Sequence, residues 1–346
     1  MKTEAVVLRA HGGPEVLVRE TLELPEPGPR EVRVRVRAVA LNHLDVWVRR
    51  GLPNLKLTYP HRLGSDIVGQ IDALGPGART PLGPGARVVV SPGTSCGVCE
   101  RCLSGEDNLC RRYAILGEHV SGGYSRHVVV PDDSLLPYPG DLPFSQVAAV
   151  PLAFLTAWQM VVVKARVRPG QTVLVHAAGS GVSSAAIQIA RLHGARVIAT
   201  TGSDGKAERA RALGAEHVIN YVTQDFVAET KRLTGKRGAD VVIDHVGGLV
   251  LGKSVLAAAA GGRVVTCGAT AGFEATLDLR HVFFRQIEIL GSTMGSKGSL
   301  FGILELVRQG RLAPVVDRVL PLWEARQAHR VLESREAFGK VVLEVD

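Results

Sequence analysis

Apolar and polar positions alternate with a period of two through the first third of the chain. Short β-branched runs of this kind fall at 4–9, 31–40, 66–74, 86–90 and 126–130, separated by Gly28-Pro29-Arg30, Gly75-Pro76-Gly77 and Gly83-Pro84-Gly85-Ala86. That spacing turns one face of each strand to a core, and the glycine-proline turns break the runs often enough to predict a small, irregular β-barrel. After about Ala153 the texture changes to strands alternating with helices. Strands are predicted at 172–176, 195–200, 217–220, 240–244, 263–267 and 287–290, with helices at 182–192, 205–213, 226–234 and 250–259. Such alternation implies right-handed βαβ units and a parallel sheet, so the fold class is α/β. Gly214 closes the helix that ends at Leu213. The chain finishes with a helix at 323–332 and a strand at 340–345, and the strand is expected to pair back with the N-terminal barrel.

The 346 residues are too many for one ordinary core, and the change of texture divides them into 1–152 with 294–346, and 153–293. Apolar residues make up 46% and charged residues 21%, which excludes a disordered or fibrous chain. The most apolar window, Val147 to Val163, carries Pro151, Thr156 and Gln159, so it is read as buried core rather than a membrane span. Lys2, Glu4 and Arg9 interrupt the N-terminus, no secretory signal is read there, and a cytoplasmic protein is expected. The formal charge is +8, yet only nine of the 41 basic residues are Lys and the Arg cluster no further than the pairs 49–50 and 111–112. A continuous face for nucleic acid is not expected from that scatter; a small anionic ligand is.

Four of the five cysteines form the run Cys96-x2-Cys99-x2-Cys102-x7-Cys110. This spacing lets a tight loop turn three thiolates to one point while the fourth returns to complete a tetrahedron, the geometry zinc prefers. With sulfur at all four positions there is no open site for water, so one structural zinc is expected. An iron–sulfur cluster and a pair of disulfides are the alternatives, the latter disfavoured by a reducing compartment. Cys267 falls in a predicted strand and reads as a small buried hydrophobe.

Directly after the strand 172–176 comes Gly179-Ser180-Gly181-Val182, leading into an apolar helix. Small residues at a strand-to-helix turn let a pyrophosphate approach the amides of the helix N-terminus, as a dinucleotide requires. The second strand ends at Thr201-Gly202-Ser203 without the acid that would hold the ribose hydroxyls of NAD, and Lys206 and Arg209 follow. NADPH is therefore expected, with NADH possible; Asp204 reads as a helix N-cap.

The four-Cys loop within a β-rich region, followed by a Rossmann half, resembles the medium-chain dehydrogenase/reductase superfamily over essentially the whole chain. Matching stretches are Asn42-His43-Leu44-Asp45, Gly64-Ser65-Asp66, His176 to Gln188, Arg211 to Ala215, Asn220-Tyr221 and Asp244-His245-Val246-Gly247. The resemblance implies a GroES-like β-barrel catalytic domain beside a Rossmann doubly wound parallel sheet. It also implies a homodimer or homotetramer paired through the strand 287–290, and it adds Tyr221 to the cofactor-binding candidates. Zinc-dependent alcohol dehydrogenases of this family hold a second, catalytic zinc. Here the corresponding positions read Asn42, Ser65 before Asp66, and about Leu152, and Leu44 stands where a hydroxyl would relay the proton. None is a good zinc ligand, so the chain is more similar to the quinone oxidoreductase and enoyl reductase branch.

The leading expectation is reduction of a quinone, enone or related carbonyl by NADPH. Asn42 and Tyr59 are the candidate donors to the acceptor oxygen, and Asp45 orders its neighbours by pairing with an Arg. His43 and His61 are alternative acids. A second reading is a zinc-dependent alcohol dehydrogenase with atypical ligands from Asp66 and His43 or His61. A third, from another class, is a non-enzymatic NADPH- or nucleic-acid-binding protein.

Overall fold

The alternating runs of the first third form strands, as a computed structural model describing residues 1–346 shows. In order these are β1 (Lys2–Val7), β2 (Val18–Glu23), β3 (Glu31–Ala40), β4 (Asp66–Leu74), β5 (Arg87–Val90), β6 (Gly93–Thr94), β7 (Ala114–Ile115), β8 (His127–Pro131) and β9 (Leu135–Pro137). The hairpin partner β2 escaped the reading of the sequence because no residue in it is buried, so its pattern carries no core face. β3 is the spine of the barrel. It pairs β4 along its length, while β8 takes the first half of its other edge, at 31–35.

The second half of the chain builds a six-stranded sheet from β10 (Thr172–Val175), β11 (Arg196–Thr201), β12 (His217–Asn220), β13 (Ala239–Asp244), β14 (Ala258–Thr266) and β15 (Glu288–Gly291). The order is β12-β11-β10-β13-β14-β15 and every pairing is parallel. The strand order reverses between β10 and β13, the point where a doubly wound sheet opens a crevice for a ligand. The connecting helices are Gly181–Leu192, Asp204–Ala212, Phe226–Leu233 and Gly248–Ala257. Leu174, Ile198, Ile219, Val242 and Val264, one from each of five neighbouring strands, form part of one buried cluster under them. The apolar window 147–163 is folded mostly as buried helix, with Val163 exposed at its end, and no helix is long and apolar enough to cross a membrane.

The chain then forms the helix Lys297–Arg308, β16 (Val316–Pro321), the helix Ala325–Glu333 and β17 (Lys340–Glu344). β17 returns to the barrel as its sequence suggested: residues 342–344 pair antiparallel with 40–38, filling the half of the β3 edge that β8 leaves open. Val341 and Leu343 thereby join the barrel core of Val34, Val36, Ile67 and Val88. The compact units are Met1–Leu152 with Ser296–Asp346, and Ala153–Gly295.

Three local expectations need correction. β14 stops at Thr266, so Cys267 follows the strand and is only partly buried. Ser203, not Asp204, is the N-cap of the helix Asp204–Ala212: the backbone of Ser203 is extended while Asp204 is the first helical residue, and the Asp204 carboxylate accepts from the Asn220 amide at 3.0 Å. Asp45 pairs with no Arg; its oxygens are taken by backbone amides of the same unit.

Candidate functional site

In the barrel unit, β3 ends at Ala40 and the chain turns into the helix His43–Arg50 with Asn42 as N-cap. Asp45 at the third helical position accepts the Asn42 backbone N–H at 2.7 Å and, with its other oxygen, the Gly64 N–H at 2.8 Å. Burial pushes the Asp45 carboxyl up to about 6 in spite of those two donors. Gly64 itself has no room for a side chain. Its φ is +94°, and a Cβ there would fall 2.5 Å from the Tyr124 ring.

The side chain of Asn42 is held from two directions. Its Nδ2 donates to Asp66 Oδ2 at 2.9 Å, and its Oδ1 accepts from the Lys340 ammonium at 2.5 Å. Lys340 also reaches Asp66 Oδ2 at 2.8 Å, while Asp66 Oδ1 accepts the backbone N–H of Leu152 at 2.6 Å. Asp66 is fully shut from solvent and Lys340 is 5% exposed. Ser65 is buried, and its hydroxyl donates to the Leu116 carbonyl at 2.6 Å.

These contacts test the second metal that the family resemblance raises. Asp66 is held by three donors and paired with the Lys340 ammonium, Ser65 is a neutral hydroxyl bonded to the Leu116 carbonyl, and Asn42 and Leu152 offer no thiolate, imidazole or carboxylate. His61 is buried with Nε2 against the Gly117 carbonyl at 3.1 Å, and His43 lies beside Trp47. The residues do not fit a catalytic zinc. Tyr59 lies in the loop before β4 and is 39% exposed, with His11 edge-on to its ring.

In the second unit, Ala177 adopts a left-handed conformation at φ +49° and Ser180 caps the helix Gly181–Leu192, its Oγ accepting the Ser183 N–H at 3.0 Å. Gly181 and Val182 thus occupy the first helical turn, whose amides lack intrahelical acceptors and suit a pyrophosphate. The turn is braced from the neighbouring strand β13. Ser183 Oγ donates to the His176 carbonyl at 2.6 Å and so must accept from His245 Nε2 at 2.8 Å. That fixes the proton on Nε2, which also lies 3.0 Å from Ser180 Oγ. A protonated Nε2 cannot accept from Ser180, whose Oγ already takes the Ser183 N–H, so the Ser180 hydroxyl proton is left for an outside acceptor. Beneath the turn, His176 Nε2 meets Ser254 Oγ at 2.9 Å, and Ser254 donates to Asp244 at 2.8 Å. Burial pushes His176 down to about 4, so the bed of the turn is neutral imidazole. Nothing in the local pattern of the sequence singled out Lys340; Ser183 was marked only as one of two serines where a third glycine is usual, and His245 entered only as part of a matching stretch.

At the far end of the crevice Thr201 is buried with its hydroxyl on the Ser203 carbonyl at 3.0 Å. Tyr221 Oη packs so closely on Gly202 that a Cβ there would lie 2.7 Å away. Ser203 is exposed and Lys206 half-buried. The end of β11 thus presents hydroxyls and backbone rather than a carboxylate.

The Sγ atoms of Cys96, Cys99, Cys102 and Cys110 all lie within 4.8 Å of one another, with Cys96 and Cys102 3.8 Å apart. A tetrahedron with zinc–sulfur bonds of about 2.3 Å has edges of ~3.8 Å, so the residues fit zinc. Backbone amides of Val98 and Cys99 hold the Cys96 thiol down at about 5. Asp107, inside the loop, accepts from Ser296 Oγ at 2.7 Å and from the Lys297 N–H at 3.0 Å, tying the loop to the helix Lys297–Arg308.

Residues 28–140 match the alcohol dehydrogenase GroES-like domain, and residues 181–309 match the zinc-binding dehydrogenase family. A quinone oxidoreductase of Rattus norvegicus is 30% identical over 96% of this chain and 94% of its own length. A 2-haloacrylate reductase of a Burkholderia species is 31% identical over 98% of each chain. Among solved structures, one described as an NAD-dependent alcohol dehydrogenase superposes with a TM-score of 0.96 at 59% identity, covering 99% of this chain and 100% of that one.

Proposed function

Since the chain belongs to the medium-chain dehydrogenase/reductase superfamily and is an NAD(P)-dependent oxidoreductase, we propose that it reduces a quinone, an enone or a related conjugated carbonyl with NADPH, without a catalytic metal. The observation that carries this reading is Asp66, ion-paired with Lys340 and bonded at once by Asn42 and Leu152, among neighbours that offer no thiolate or imidazole for a second zinc.

The nicotinamide, when bound, supplies the hydride. In an enone the hydride adds to the β-carbon and the electron pair of the double bond moves to the carbonyl oxygen. The chain must meet that developing charge with preplaced donors. Asn42 has one Nδ2–H committed to Asp66 and a second available for the acceptor oxygen, with Tyr59 as a further donor from the same unit. Asp45 holds the start of the Asn42 helix through two backbone amides and leaves the donor in place. Solvent protonates the enolate. In the second unit the Ser180 hydroxyl and the first-turn amides bind the pyrophosphate, and Val182 and Gly179 line the turn. Thr201, Ser203, Lys206 and Tyr221 receive the adenosine end; a 2′-phosphate meets no carboxylate at 201–203. One zinc on the four cysteines braces the barrel loop and takes no part in the chemistry. The outer edge of β15 is unpaired within the chain, and a second copy is proposed to pair there.

Oxidation of an alcohol with NAD is the second reading, favoured by the description of the structure at 59% identity. A panel of quinones, enones, aldehydes and alcohols, each run with NADPH and NADH, decides between them. Reduction of conjugated acceptors that survives mild chelation is expected. A simple alcohol has no Lewis acid here to lower its pKa, so brisk, chelator-sensitive oxidation of a primary alcohol overturns the proposal.

A further inference from the structure

The buried ammonium of Lys340 is not explained by stability. Taking an ion pair out of water costs several kcal/mol per ion, and apolar replacements of buried pairs are often neutral or better. Lys340 opens β17, whose other buried residues are apolar, and its side chain reaches across to Asn42, 298 residues away in sequence. Its contacts remove a choice that an asparagine otherwise has. An ammonium can only donate, so the atom of Asn42 facing it at 2.5 Å is Oδ1; an ionised carboxylate can only accept, so the atom facing Asp66 at 2.9 Å is Nδ2. The amide cannot flip without setting donor against donor and acceptor against acceptor.

We propose that Lys340 is a positioning residue for carbonyl reduction: with Asp66 it clamps the Asn42 amide in the single orientation that leaves one Nδ2–H for the acceptor oxygen. This rests on the reductase reading above. The clamp matters because a donor contributes to the rate only if it is already aimed when charge develops, and small misplacements cost one or two orders of magnitude. The charged groups around the clamp are Asp66, bonded to it, and Asp45, which lies within electrostatic range of both Asp66 and Lys340. Lys340 is thus the positive charge that faces both carboxylates.

The test is a double-mutant cycle on the full chain, measuring kcat and KM for a weakly activated enone and an electron-poor quinone, with melting temperature and NADPH dissociation constant alongside. Asn42→Ala and Lys340→Met are each expected to lower kcat by about 10-fold or more. The double variant is expected to be no slower than Asn42→Ala, because the clamp has nothing left to hold. NADPH affinity should be unchanged. Lys340→Gln, which keeps two donors, should recover most of the lost kcat. It also carries the cycle if the methionine variant does not fold: any loss it shows should vanish in the Asn42→Ala background. Multiplicative losses, or a Lys340→Met enzyme with native kcat, overturn the role of Lys340 while leaving the reductase reading intact. A native chain that reduces none of the conjugated acceptors overturns both.

Discussion

The guanidinium of Arg49, wholly buried, lies 3.1 Å from Nδ1 of His329. Arginine has no acceptor, so Nδ1 carries the lone pair and Nε2–H donates to Tyr124 Oη at 3.2 Å. Arg49 is in turn balanced by Glu333 at 2.6 Å, which joins the helix behind Asn42 to the helix Ala325–Glu333. The candidate donor thus starts a helix whose far end is bolted to the C-terminal segment.

That bolt has a pH dependence with a definite sign. Burial, then the Arg49 charge, pushes His329 from 6.5 down to about 3, so the unfolded chain takes up a proton first as pH falls. The stability His329 supports is complete above about pH 6.5 and is lost toward pH 3, by at most about 5 kcal/mol. His329→Gln, whose amide oxygen still takes an Arg49 proton, should flatten the acid limb of melting temperature against pH. An unchanged acid limb in that variant contradicts the assignment.

Elemental analysis of the purified chain should return one zinc, bound by Cys96, Cys99, Cys102 and Cys110. Because the loop is tied to the helix Lys297–Arg308 through Asp107, Cys99→Ser should lower the melting temperature by several degrees before it lowers kcat. Two zinc per chain, or iron, refutes the assignment.

Thr201→Asp should weaken NADPH binding by about 10-fold or more through repulsion of the 2′-phosphate and leave NADH equal or tighter. Ser180→Ala should weaken both cofactors alike, by about 10-fold, since the proton freed by His245 serves the shared pyrophosphate. Titration of nicotinamide fluorescence measures both, and equal affinities of the native chain for the two cofactors count against the NADPH preference.

The edge strand β15 pairs only with β14, and Ile289 in it is 38% exposed, with Phe283 and Phe284 exposed just upstream. Ile289→Lys should shift the chain toward monomer in light scattering at micromolar concentration. A native chain that is already monomeric shows the edge to be free.

Local pattern carried a great deal of this protein. Period-two alternation located β3 and β4 to the residue, and the strand-helix rhythm located five strands of the parallel sheet to within one residue and all but the first five residues of β14, because burial of one face or both leaves its mark on consecutive positions. The four thiols could be grouped from spacing alone, since a metal site built from one loop is a local object. What the sequence could not show is where side chains distant in sequence meet. It marked Asn42 as a donor but not that Lys340 and Asp66 hold the amide; it marked Ser180 but not that His245, 65 residues on, frees its proton. Lys340 looks like the polar start of a terminal strand, and only the return of β17 to the open half of the β3 edge brings its ammonium under Asn42. Pairing of strands far apart in sequence is decided by the closing of the whole barrel, and donor–acceptor matching inside it exists only once that closure has been made.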